Sequence, residues 1–336
     1  MHPAPGPAAL PLSRRRMLAI FGAAALTSAG PVNAASADRH RWEGSALGGD
    51  ASLTLEGFDA AEAGRLIARA RGELDRLESI FSLYRPHTAL NRLNRDGFLQ
   101  VAPAELIEAL SLCRDLHERT GGAFDPTVQA YWAALTKSGA ERGTELGVRA
   151  DLTRERPHVG FDKVQIDRAT IRLSDGAKLT LNGIAQGIIT DRIADILRDG
   201  GARHVLVNLG EFHAPGPRAD GSPWQIGLRD PYHAWRISGR VALTGAALAT
   251  SAGSGQPLGS GHHLFDPQSG ASPDHFASVS VLAPRAALAD GLSTALYVMP
   301  AAQALALAED FGEVEARFTF KNGAVSTTSG WQESAV

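Results

Sequence analysis

The sequence predicts an α+β fold, with a mixed, mostly antiparallel sheet and helices packed against it. Two observations carry that reading. Five stretches repeat apolar residues at helical spacing, and short β-rich runs crowd between residues 160 and 250, where only one helix interrupts them. A doubly wound parallel sheet would need a helix after nearly every strand.

The first helix opens at Asp59-Ala60-Ala61-Glu62, which has the form of a capping box, and carries Leu66, Ile67, Ala70, Leu74, Leu77 and Phe81 on one face. A second starts at Pro103, runs through Leu106, Leu110, Cys113 and Leu116, and stops at Gly121-Gly122. A third carries Ile184, Ile188, Ile193, Ile196 and Leu197 up to Gly200-Gly201. The fourth covers about Arg285 to Val298, and the fifth lies between Pro300 and Gly312. Strands are expected at Ala51–Glu56, Lys163–Asp167, Thr170–Leu173, Lys178–Leu181, His204–Leu209, Trp224–Leu228, Ile237–Leu243, Ser278–Ala283 and Ala316–Phe320. Lys137–His158 is polar and irregular and reads as a surface excursion. Cys113 sits on an apolar helical stripe, so a buried thiol is expected rather than a reactive one.

Ahead of all this, Ser13-Arg14-Arg15-Arg16-Met17-Leu18 precedes an apolar run to about Gly30 and then the small residues around Ala34 and Ala37. That is the pattern of a twin-arginine secretory leader over residues 1–37. The run is roughly 12–14 residues, short of the ~20 that span a bilayer, so cleavage and a periplasmic location are expected and no stable membrane anchor. An uncleaved N-terminal anchor is the competing reading. Losing the leader removes three arginines and no acid, which moves the formal charge from −3 to −6. Nothing in that balance attracts nucleic acid. One cysteine cannot form an internal disulfide. Residues 38–336, 44% hydrophobic across the whole chain, are enough to bury a large core.

Five separated segments carry the chemistry. Phe81-Ser82-Leu83-Tyr84-Arg85-Pro86, with Asn91-Arg92-Leu93-Asn94 behind it, puts an amphipathic ring at a helix end, where it either caps the helix or stacks on a ligand. Gly121-Gly122-Ala123-Phe124-Asp125-Pro126-Thr127 either is a plain turn or lets backbone approach a ligand closely. In Leu181-Asn182-Gly183-Ile184-Ala185-Gln186-Gly187, a glycine-punctuated junction into a helix can present backbone groups to a phosphate and its metal. Gly261-His262-His263-Leu264-Phe265-Asp266-Pro267-Gln268-Ser269-Gly270 offers an imidazole able to accept a hydroxyl proton; a zinc site at the His262–His263 pair is disfavoured, because neighbours in an extended loop point apart and no cysteine is near. Finally, in Ala289-Asp290-Gly291-Leu292-Ser293-Thr294-Ala295 a carboxylate and a hydroxyl four residues apart share one helix face, a donor pair suited to a hard cation or else a solvated face.

In this order the five segments resemble the ApbE family, the FAD:protein FMN transferases, over nearly all of the chain after the leader. The resemblance implies one flavin transferase domain of two intertwined lobes over residues 38–336, with FAD as substrate between the halves and Mg²⁺ as cofactor. It implies that Tyr84, Ala123, Phe124, Asp125, Thr180, Gln186 and Leu264 contact FAD, and that Gly183 (through its carbonyl), Asp290 and Thr294 hold the metal. Leu47-Gly48, in an early strand, stands where the family usually has a Met-Gly pair near the flavin, so Leu47 joins the flavin set. His263 falls on the family's histidine and is the implied base. The implied reaction moves FMN onto a Thr or Ser of an exported acceptor protein and releases AMP. The chain departs from the family where Asp is common at Thr180 and Lys or Glu at Gln186, so two charges are missing. That departure motivates a second reading, a periplasmic FAD-holding protein with little turnover; a metal-dependent FAD pyrophosphatase is the third. The Asn-Gly-Ile-Ala-Gln-Gly wording also resembles a subgroup associated with nitrous oxide respiration.

Overall fold

The computed structural model describes residues 38–138, 152–233, 235–258 and 261–334, together with a two-residue strand at Ala24–Ala25. The leader, that short strand apart, and residues 139–151 of the polar excursion lie outside the described residues. Ten strands and seven helices position the site. The strands are β1 (Arg39–Ala46), β2 (Gly49–Glu56), β3 (Val205–Asn208), β4 (Phe212–Ala214), β5 (Trp224–Arg229), β6 (Ile237–Leu243), β7 (Ala246–Ser251), β8 (Phe276–Ala283), β9 (Glu315–Phe320) and β10 (Val325–Thr327). The helices are α1 (Ala60–Phe81), α2 (Ala89–Asp96), α3 (Ala104–Arg119), α4 (Gln129–Ser138), α5 (Ala185–Asp199), α6 (Ala286–Val298) and α7 (Ala301–Asp310).

Eight strands form one sheet in the order β10-β9-β8-β7-β4-β3-β2-β1, and every neighbouring pair in it is antiparallel. Strand alternation gives the sheet two covered faces. Val205, Val207, Ala249, Val279, Val281 and Phe318 join the large core with the apolar faces of α1, α5 and α6, whereas Leu206, Phe212 and Leu248 turn the other way onto Trp224, Ile226 and Val241 of β5 and β6. Burying each such side chain contributes roughly 1.5–3 kcal/mol. Cys113 is fully buried, and burial pushes its thiol up, so it is core as expected.

All five helices read from periodicity are present, α1 with Asp59 accepting from the Glu62 N–H at 2.8 Å. Six elements, β1, β4, β7, β10, α2 and α4, escaped the pattern, and for β1 and α2 the reason is identifiable. The edge strand β1 is polar and mostly exposed, so it lacks the apolar alternation of a half-buried strand. The short α2 is defined by its ends, Thr88 capping the Asn91 N–H at 3.0 Å and Gly97 closing it at φ 70°.

Two expectations need correction. Lys178–Leu181 is no strand: the Leu179 N–H donates to Asn94 Oδ1 at 2.7 Å, Asn94 Nδ2 donates to the Leu179 carbonyl at 2.8 Å, and the Thr180 N–H donates to the Pro126 carbonyl at 2.8 Å. A side chain and a loop satisfy this backbone in place of a sheet ladder. Leu47-Gly48 is the turn between β1 and β2 rather than part of a strand, with φ 48° and 88°, as a two-residue hairpin turn of matching twist requires. Leucine rarely adopts that conformation; here its N–H is held by the buried Glu78 carboxylate of α1.

Candidate active site

One pocket, lined by five separate stretches of chain, opens beside the N-terminal end of α5. The loop after α3 contributes Ala123, Phe124 and Asp125; the junction into α5 contributes Thr180, Asn182, Gly183 and Gln186; the turn between β3 and β4 contributes Glu211; the segment 250–265 contributes His263 and Leu264; and α6 contributes Asp290 and Thr294. Ten of the twelve residues singled out from sequence therefore share one cavity. Tyr84 lies in an adjoining cleft that shares Gln129, Trp132 and Asn182 with the main pocket. Its hydroxyl accepts from Asn182 Nδ2 at 2.9 Å while the ring stays 43% exposed, free to meet a ligand. Leu47 is buried in the hairpin turn and lies outside the pocket's lining.

The oxygen-donor side is built by helix packing. Asp290 and Thr294 are one helical turn apart on α6, and Asp290 is only 4% exposed. Its Oδ2 accepts from the Gly187 N–H, an otherwise orphaned donor in the first turn of α5, at 3.0 Å. Gly183 presses against Thr294 so closely that a Cβ there would lie 2.9 Å from Oγ1. Glu211, between β3 and β4, is a second buried carboxyl in the same pocket. Burial pushes Asp290 up to about 7, and burial together with the charge of Asp290 pushes Glu211 well above the usual carboxylate range. Among the described residues neither has an ion-pair partner, so burial disfavours their charged forms until a cation enters to offset them. Hard oxygen donors placed together in this way fit a divalent cation such as Mg²⁺, with coordination positions left for phosphate and water.

Across the pocket stands His263. Its Nδ1 faces the Gln256 carbonyl at 3.3 Å; a carbonyl only accepts, so Nδ1 carries the proton and Nε2 keeps its lone pair. Burial, helped by neighbouring His262, lowers its pKa to about 4, which leaves the imidazole neutral at ordinary pH. His262 has no such freedom. Its Nδ1 accepts from the Leu264 N–H at 3.3 Å and its Nε2 donates to the Pro273 carbonyl at 2.9 Å, which makes it a loop-pinning residue. Asp125 is similarly committed: its carboxylate takes the N–H and hydroxyl of Thr127 and the Phe161 N–H, so it shapes the loop that presents Ala123 and Phe124. Gln186 is the opposite case. It is 3% exposed, its Nε2 has no hydrogen-bond partner, and it packs against Gly210, whose φ of 106° and missing Cβ make room for it. A buried orphan amide lining a cavity is a donor waiting for a ligand acceptor.

Sequence reasoning left out Glu211; an acid after glycine between two apolar runs was the available signal. Trp132 and Gln129, on α4, gave no signal at all.

The model of the ApbE family matches residues 47–318. In sequence the chain is similar to the FAD:protein FMN transferase of Haemophilus influenzae, 29% identical over 248 residues that cover 68% of this chain and 70% of that one. It is also similar to that of Salmonella typhimurium, 26% identical over 275 residues covering 76% and 77%. In structure it resembles the apo flavinyl transferase ApbE of Pseudomonas stutzeri, with a TM-score of 0.75 and 26% identity over 89% of this chain and 98% of that one. An ApbE protein of Thermotoga maritima, 24% identical, shares the fold with the same TM-score over 87% and 97%. The family match runs from the β1–β2 turn into β9 and so takes in every strand and helix that lines the pocket: this chain belongs to the ApbE family.

Proposed function

We propose that this protein is an FAD:protein FMN transferase that moves the FMN half of FAD onto a Thr or Ser hydroxyl of an exported acceptor protein and releases AMP. The observation that carries the reading is the pairing, in one pocket, of a neutral imidazole whose Nε2 is free with an uncompensated set of hard oxygen donors. The acceptor O–H gives its proton to His263 Nε2, its oxygen forms a bond to the FMN phosphorus, and the bond from that phosphorus to the bridging oxygen breaks, so AMP leaves with that oxygen. Gly183, Asp290 and Thr294 would hold Mg²⁺; bound there, it offsets the pyrophosphate charge and stabilises the departing phosphate. Gln186, with its unpaired amide, and Leu264, Ala123 and Phe124, as pocket walls, contact FAD, and Tyr84 offers its ring from the adjoining cleft. The uncharged Gln186 donates one hydrogen bond where a charged residue is common in the family.

The leader motif supports work in the periplasm, on partners exported to the same compartment. No described helix is long and apolar enough to cross a membrane. Incubating the mature chain with FAD, Mg²⁺ and a candidate exported acceptor tests the reading. Covalent flavin fluorescence on the acceptor and matching AMP release are expected, both lost in Asp290→Ala. FMN and AMP without acceptor would favour the pyrophosphatase reading; bound FAD with no AMP would favour the holding protein.

A further inference from the structure

We infer that Asp191 is a positioning residue for the metal site, fixing where α6 places Asp290 and Thr294; the inference rests on the metal reading above. Helix α6 has no cap of its own. Its N-cap residue, Arg285, makes no side-chain capping bond, and its first turn holds no acid. The cap comes instead from α5, where Asp191 Oδ1 accepts from the Ala286 N–H at 2.8 Å and Oδ2 from the Ala287 N–H at 3.0 Å. Four residues earlier on the same face of α5, Gly187 donates to Asp290. The two helices are thus pinned at both ends of a single turn, Asp191 against Ala286 and Gly187 against Asp290. Between the pins they touch so closely that a Cβ on Gly187 would lie 2.4 Å from the Ala286 carbonyl oxygen.

Asp191 is itself held. Arg285 Nε stands 3.3 Å from Oδ2 and the same side chain grips Asp195 through two bonds of 3.0 and 2.7 Å, while His213 packs beside Oδ1 with its Nδ1 2.8 Å away but out of hydrogen-bond geometry. Asp191 is 4% exposed, so its carboxylate relies on these protein donors rather than on bulk water. A carboxylate facing the first turn of a helix also meets the positive end of its dipole. Two main-chain N–H groups and a glycine contact thereby tie α6 to α5, the helix that continues from the Gly183 loop.

The test measures free Mn²⁺ by electron paramagnetic resonance in solutions of the mature chain with FAD, alongside transfer assays at graded Mg²⁺. Asp191→Asn, which keeps the size but swaps an acceptor for a donor, is expected to weaken Mn²⁺ binding about 10- to 100-fold. Its far-UV circular dichroism should be unchanged, and its transfer rate should recover at high Mg²⁺, as a merely destabilised helix would not allow. Should that variant not fold, Gly187→Ala, which keeps Asp191 but wedges the helices, carries the same expectation. Unchanged Mn²⁺ affinity in folded Asp191→Asn overturns the positioning role and leaves the metal site standing. Unchanged affinity in Asp290→Ala overturns the metal site, and the positioning role with it.

Discussion

His263 owes its suitability as a base to two arrangements, a carbonyl that fixes which nitrogen bears the proton and a setting that withholds water from the charged form. Burial lowers its pKa, so the proton-accepting form is present above about 4 and is lost as the pH falls through that value. At saturating Mg²⁺ the transfer rate should show no loss on going from about pH 8 to about pH 5, where an unperturbed histidine would already have protonated, and the profile of acceptor labelling against pH checks this. The matching control is His263→Ala, which should slow labelling by about 10²- to 10⁴-fold while FAD binding, followed by flavin fluorescence, stays as it was. The neighbouring imidazole shows how little sequence says at this scale. His262 and His263 are adjacent and identical in type, yet one has both nitrogens bound in the loop and the other keeps one free.

At the scale of elements, the site depends on glycines where helices and loops meet. Gly183 and Gly187 flank the start of α5, the first against Thr294 and the second against the backbone of Ala286 and Ala287. Gly183→Ala would put a methyl 2.9 Å from Thr294 Oγ1 and 3.1 Å from its Cγ2. We expect a stability loss of about 1–3 kcal/mol in urea unfolding, accompanied by a higher Mg²⁺ concentration for half-maximal transfer. The glycine punctuation was legible in the sequence, and so was the spacing of four between Asp290 and Thr294. The identity of the stretch before Gly183 was not: Lys178–Leu181 has strand-like residues but spends its backbone bonds on Asn94 and Pro126, partners that lie 85 residues upstream for Leu179 and 54 for Thr180. The Leu47 turn was likewise hidden, because its left-handed backbone is held by Glu78, a helix residue 31 positions away.

At the scale of the whole molecule, the fold brings together in one pocket five stretches of chain that are separate in sequence. The proposed leader belongs to this scale too, since export would set which proteins the pocket can meet. Replacing Arg14 and Arg15 with lysine should hold the unprocessed chain in the cytoplasm, as read by fractionation and a mass that still includes residues 1–37. Local sequence was sufficient for the α+β class and for five helices, because helical periodicity and glycine turns are properties of neighbouring residues that survive without knowledge of the fold; the ten pocket residues came from the resemblance of five short segments to the ApbE family. Only the tertiary structure decided that Glu211 shares a cavity with Asp290, that Gln186 has no partner, and that Asp191 caps a helix other than its own. Those facts are contacts and desolvation between segments distant in the chain, and no local pattern encodes how much water a folded interior removes from a charge.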